Sequence, residues 1–341
     1  MELFLEEGTG RPRALWRLLV QYSAYSVLAP LLVDLLAFSW LLVLSGREIG
    51  ASGELDVSSL SGTPALALLG GIATLMGVLL SVWLAGRFLD RRPFAAFGFH
   101  VSGGWWLDLC FGMILGALLM GAIFLVELGF GWITVTGAFR SLVPGTPFAL
   151  AMLLPTTYFV CIGVNEELLF RGYQLRNGAE GLNLPALGPR KAVILAWVLS
   201  SAFFGCLHAN NPNATFLSTF NIALAGLMLG FGYVLTGELA IPIGLHITWN
   251  LFQGSVFGLP VSGRAPFGAS VLSTDGGGPG LWTGGPFGPE GGLLGPVAMI
   301  LGILLVALWV RLRNGRITIH TPIAEGPQPV QTGAASSKPE G

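Results

Sequence analysis

Charge is what this sequence has little of. Of 341 residues only 10% are charged, while 53% are hydrophobic. Soluble domains carry about 25% charge, and the apolar runs of about 20 residues that recur along this chain would have no water-compatible surface. A soluble globule is therefore excluded. Net charge is also nearly absent: a formal value of −1 builds no field for nucleic acid or for an acidic partner, and neither is expected. Cysteine is scarce. Cys110, Cys161 and Cys206 lie inside apolar runs without CxxC spacing, which reads as buried small hydrophobes and not as disulfides or metal ligands. The N-terminus lacks a basic stretch running straight into a short apolar core, since Glu2, Glu6 and Glu7 precede Arg11, Arg13 and Arg17. No removable signal peptide is expected. No internal repeat suggests the inverted halves of a transporter.

What is present is a series of apolar runs bounded by charge or by Gly and Pro. Eight spans are expected, at Tyr25–Leu44, Ala65–Ala85, Leu107–Leu128, Phe148–Phe170, Ala192–His208, Phe216–Leu235, Leu239–Phe257 and Leu293–Val310. The fold class is all-α, a polytopic membrane bundle of about eight helices. An even number of spans puts both termini on one side, and the basic residues test this. Arg11, Arg13, Arg17, Arg87, Arg91, Arg92, Arg171, Arg176, Arg190, Lys191, Arg311, Arg313 and Arg316 fall on one side, against Arg47, Arg140 and Arg264 on the other, with Lys338 in the distal tail. The positive-inside rule then places both termini in the cytoplasm. The segment from Val261 to Gly291 reads as an irregular extracytoplasmic loop, and the chain after Arg316 as disordered, with no cysteine near its end to carry a prenyl group. Gly112 with Gly116, and Gly226 with Gly230, read as close-packing points within the bundle and not as a dimer face.

An ionisable side chain within a span costs about 2.5–3.5 kcal/mol on insertion scales and needs a reason. Asp34, Asp108 and Glu127 read as interfacial or helix-to-helix hydrogen-bonding groups. The fourth span differs. Glu166 and Glu167 are adjacent, hence about 100° apart on a helix, and cannot serve one point in space. Glu167 and Arg171 are i and i+4 in the favourable order for an ion pair, leaving Glu166 free for chemistry. His208 ends the fifth span, four residues after Phe204. His246 lies in the seventh, four residues before Asn250, so these two share a helix face. His100 and His320 fall outside the spans and read as surface residues. Glu166 lies about 15 Å from Arg176 along its helix, but His208 lies about 25 Å from Lys191. These depths match only if the fifth helix starts outside the hydrocarbon or tilts strongly.

A desolvated glutamate holding a water beside a histidine can act as general base. A second histidine and an asparagine amide can stabilise the oxyanion that forms when that water attacks an amide carbonyl. Cys206 and His208, two residues apart, face away from each other, so no cysteine nucleophile is expected. The motifs EExxxR (Glu166, Glu167, Arg171), FxxxH (Phe204, His208) and HxxxN (His246, Asn250) resemble, in order, those of the CPBP intramembrane proteases, also called the Abi or type 2 CAAX prenyl protease family. The similarity covers about Phe148 to Leu259.

The resemblance implies an eight-helix bundle with a polar cavity open to the cytoplasm. Glu166 and His208 would activate water, His246 and Asn250 would form the oxyanion site, and Glu167 and Arg171 would support them. The implied activity is an intramembrane, CAAX-type or related maturation endopeptidase of the plasma membrane, acting on a membrane-associated protein or peptide, lipidated or not. The corresponding organisation is a cytoplasmic segment over 1–24, three helices over 25–136, the protease-like core over 146–259, the Gly/Pro-rich loop over 260–291, the last helix over 292–311 and a disordered tail over 317–341. No cofactor is expected. A zinc ion on Glu166, His208 and His246 is the alternative chemistry, and a non-enzymatic immunity or scaffold protein the alternative function.

Overall fold

A computed structural model describes residues 4–6, 9–48 and 64–327, with the side chains of 41–48 also outside the description. The expectations resting on Glu2, Glu7, the Arg47 side chain, Lys338 and the tail from 328 onward lie outside the described residues. Among the described residues, seven helices are long and apolar enough to cross a membrane. They are built on α1 (Ala14–Glu48), α2 (Pro64–Ala85), α3 (Gly103–Gly129), α4 (Leu153–Glu167), α5 (Gly188–Leu207), α6 (Phe216–Thr236) and, last in the chain, α8 (Leu294–Asn314). The helix of α4 does not stop at Glu167. It widens into a π-helical stretch, Leu168–Leu175, and continues as Arg176–Leu182.

The expected seventh span, Leu239–Phe257, is a different kind of helix. Here α7 (Ala240–Leu251) runs on through a π-helical turn, Phe252–Val256, and falls short of the other spans in length. Every residue from Ala240 to Asn250 is buried. It is a central helix, packed against α3, α4 and α6. A run that is apolar all round suits burial by protein as well as by lipid, so hydropathy alone does not separate the two.

Glycine lets α3 and α7 approach this closely. A Cβ at Gly112 would collide with the Ile241 carbonyl oxygen, and one at Gly116 with the Thr248 hydroxyl; Gly226 meets Ser201 and Gly230 meets Trp197 in the same way. These contacts are internal to the bundle. Because backbone cannot yield as a side chain can, Gly112→Ala is expected to lower stability by about 1–3 kcal/mol. Thermal unfolding in detergent should show the loss, with oligomeric state unchanged by light scattering.

Two features depart from an all-helical outline. Strands β1 (Ile133–Ser141) and β2 (Ala269–Gly276) pair antiparallel, from Ile133 with Gly276 to Ser141 with Ala269, with a bulge between Val135 and Gly137. The loop expected over 260–291 thus holds a strand and short helical turns, and is irregular over 260–268 and between those turns. At the other end, the chain after α8 does not leave the bundle at Arg316. His320 N–H donates to the Val234 carbonyl (2.8 Å), Asn183 donates to the Ala324 carbonyl (3.0 Å), and Ile323 and Ala324 are buried. Over 317–327 the expected disorder is replaced by docking, because a short apolar plug fills the gap beside α5.

His320 is correspondingly not a free surface residue; its ring lies over Gly237. Burial, then the nearby Arg176 and more weakly His100, push its pKa down, against Glu238 and Glu325. The docked segment therefore favours neutral imidazole. Its stabilisation is intact above the ordinary histidine pKa and declines as pH falls below it, since the undocked ring takes up the proton first. The protection of the 317–327 amides, taken relative to their intrinsic exchange at each pH, should fall as pH drops from about 7 to 5, and His320→Gln should remove that dependence.

Beside this segment, Arg11, Arg17 and Arg92 converge on Glu180. Arg17 also donates to Asp90 (2.9 Å), as does the Tyr173 hydroxyl (2.9 Å). Asp108 meets expectation as an interhelical group, accepting from Trp309 Nε1 at 2.8 Å.

Candidate active site

The continuation of α4 past Arg176 removes the depth conflict. Ser200 on α5 donates to the Phe170 carbonyl (3.0 Å), which fixes the antiparallel register of the two helices. Counting four residues from that level places Phe204 opposite Glu166, with His208 about one turn, ~6 Å, further along. The helical hairpin closes at 182–188 and not near Arg176. Glu166 therefore sits deeper than its distance from Arg176 implied.

Glu166, Phe204, His208, His246 and Asn250, from α4, α5, the turn after α5 and α7, line one cavity of about 460 Å³. All four residues expected to do chemistry are brought together. Glu167 and Arg171 stand behind the cavity, fully buried, with Arg171 Nη1 donating to Glu167 Oε1 at 2.8 Å, the expected i, i+4 pair. Arg171 also donates from Nη2 to the Gly226 carbonyl (3.1 Å) and lies 4.7 Å from the centre of the Phe204 ring. One side chain thereby ties the π-helical stretch to α5 and α6.

The partner of His246 was not legible in the sequence. Its Nδ1 lies 2.7 Å from Glu167 Oε1, and its Nε2 lies 3.8 Å from Glu166 Oε2. A carboxylate accepts only, so Nδ1–H donates to Glu167 and the remaining proton site, Nε2, looks into the cavity. The 3.8 Å gap is too long for a hydrogen bond and suits a bridging water. His208 follows the same pattern: its Nδ1 donates to the Phe204 carbonyl (2.8 Å), leaving Nε2 as the second site. Phe204 is wedged between the imidazoles, its ring centre 4.6 Å from that of His208 and 6.4 Å from that of His246. Among the described residues no three His, Cys, Asp or Glu side chains are grouped to hold a metal ion.

Sequence reasoning missed Glu290. It is buried at the cavity wall and accepts from the Ser262 hydroxyl (2.6 Å), the Ser262 backbone N–H and Trp249 Nε1 (3.4 Å). Burial pushes its pKa up, against the pull of the Ser262, Gln253 and Trp249 hydrogen bonds. Glu290 pins the segment after α7 to α7 itself, and that segment, including Val261, Arg264 and Phe267, forms the lip of the cavity. An acid in a Gly/Pro-rich stretch, one of two there with Asp275, was the available signal.

Fold and site together define a multi-pass membrane protein with a cavity inside its helical bundle, in which Glu166, His208, His246 and Asn250 stand among mostly apolar side chains. Residues 146–252 match the family described as type II CAAX prenyl endopeptidase Rce1-like, and the resemblance drawn from the three motifs is borne out over that segment. The chain is also similar to "Uncharacterized protein YyaK" of Bacillus subtilis (strain 168), with 27% identity over 176 residues, 50% of this chain and 54% of that protein. The match spans about half the length of that curated relative. No solved structure matches.

Proposed function

We propose that the chain is an intramembrane endopeptidase of the plasma membrane, with both termini cytoplasmic, acting in CAAX-type processing or a related maturation of a membrane-associated protein. The observation that carries this reading is the convergence of Glu166, His208, His246 and Asn250 on one cavity, with Glu166 Oε2 and His246 Nε2 3.8 Å apart, near enough for one water in the cavity to contact both. The Rce1-like match over 146–252 supports the same reaction class.

In this mechanism Glu166, assisted by His208, takes a proton from water as its oxygen attacks the substrate carbonyl carbon. The resulting oxyanion accepts hydrogen bonds from the Asn250 amide and from His246. With Nδ1–H committed to Glu167, His246 donates from Nε2 only as imidazolium, flanked by two carboxylates. As the tetrahedral intermediate collapses, the C–N bond breaks and Glu166 returns its proton to the leaving nitrogen. No covalent acyl-enzyme forms, and the reading requires no metal, so a chelator should leave cleavage intact.

The test is a comparison of protein termini in membrane fractions from wild-type and Glu166→Gln cells. Termini that vanish in the variant support the protease. A preserved biological effect with no Glu166-dependent terminus would instead support a scaffold.

A further inference from the structure

The cavity reaches from mid-bundle, where α6 contributes Met228 and Leu229 and α7 contributes Leu245 and His246, to the end of the bundle remote from the arginine-rich one. On α4 the cavity takes Tyr158 and Glu166, whereas Arg176 lies beyond them on the same continuous helix. On α5 it takes His208, at the opposite end from Arg190 and Lys191. On α8 it takes Met299, near the start, with Arg311 and Arg313 in the last turn. The lip is the 261–267 segment, on the same side as the β1–β2 ribbon.

The charge asymmetry survives the structure. Arg11, Arg17, Arg92 and Arg171 are buried ion-pair partners and can be set aside. Arg13, Arg87, Arg91, Arg176, Arg190, Lys191, Arg311, Arg313 and Arg316 remain at one end, against Arg140 and Arg264 at the other. Orientation follows Lys and Arg near span ends, with Asp and Glu contributing little. A cytoplasmic arginine-rich end and a cytoplasm-facing cavity, both expected from the sequence, therefore exclude each other.

We infer that the cavity opens to the extracytoplasmic side, so that its substrate is the outer flank of a membrane-inserted segment and not a cytoplasmic lipidated C-terminus. The substrate clause rests on the protease reading; the sidedness does not. The test for sidedness uses the full chain with Cys110, Cys161 and Cys206 replaced. Arg264→Cys at the lip should react with a membrane-impermeant maleimide in intact cells, and Arg190→Cys only after permeabilisation. Should Arg264→Cys fail to accumulate, Arg140→Cys, exposed on β1 at the same end, replaces it. The reverse labelling pattern overturns the inference. Termini that depend on Glu166 should map to outer flanks; if they map to cytoplasmic ends, the substrate class is wrong. A complete lack of such termini would refute the protease reading while leaving the labelling result standing.

Discussion

Arg171→Met is expected to destabilise the bundle by about 3–5 kcal/mol, the cost of leaving one partner of a buried ion pair uncompensated. Arg171 and Glu167 have side-chain exposures of 1% and 0%, so solvent cannot take the place of the lost guanidinium, and the Glu167 carboxylate is left with His246 as its hydrogen-bond partner. The loss extends past the pair. The same guanidinium bonds the Gly226 carbonyl and covers the Phe204 ring, and Glu167 also holds His246. Lysine keeps the charge but cannot supply a planar fork to two acceptors while lying over a ring, so Arg171→Lys should fall between wild type and Arg171→Met. The double variant Glu167→Gln with Arg171→Met should be more stable than Arg171→Met alone, since the fully buried carboxylate that lost its guanidinium is then neutral while the amide oxygen still accepts from His246. Chemical unfolding in bicelles, read as a double-mutant cycle, checks the order. A double variant no better than the single would refute the account.

The Glu167–Arg171 pair shows how far helical spacing reaches: residues four apart on one helix meet whatever surrounds them, so the contact was legible before any tertiary structure. The convergence of Glu166, His208, His246 and Asn250 was legible for another reason, since polar groups in apolar spans are costly enough to imply partners. What spacing cannot supply is the partner from another helix. His246 was matched by sequence to Asn250, on its own face, whereas its hydrogen bond goes to Glu167. The central position of α7 was hidden because a run buried in protein and a run facing lipid have the same composition. The β1–β2 pairing joins segments far apart in the chain, Ser141 to Ala269 at its nearest, and the docking of 317–327 depends on single residues such as Ile323 that no periodicity marks. Sidedness of the cavity was hidden differently. Which end of the helices the site lies toward depends on the register of α4 against α5, fixed at Ser200 and Phe170, and no spacing within one helix reports that.

Glu166→Gln is expected to lower the cleavage rate by about 10²–10⁴-fold, the range lost with a positioned general base, while leaving stability nearly unchanged. The two adjacent glutamates make this a sharp contrast. The Glu166 side chain is 22% exposed to the cavity and its nearest cation, His246 Nε2, is 3.8 Å away, so an isosteric amide removes basicity and little binding. Glu167 is fully buried and accepts from both Arg171 and His246, so Glu167→Gln should lower melting temperature and activity together. Asn250→Ala should cost about 10²–10³ in kcat, as for loss of one oxyanion donor, with KM little changed because the amide acts on charge that develops only in the transition state. The measurements are initial rates on a Glu166-dependent substrate and melting curves for each variant under the same conditions. If Glu166→Gln unfolds the protein as readily as Glu167→Gln, Glu166 is a structural group, and the water-activating role passes to the pair His208 and His246.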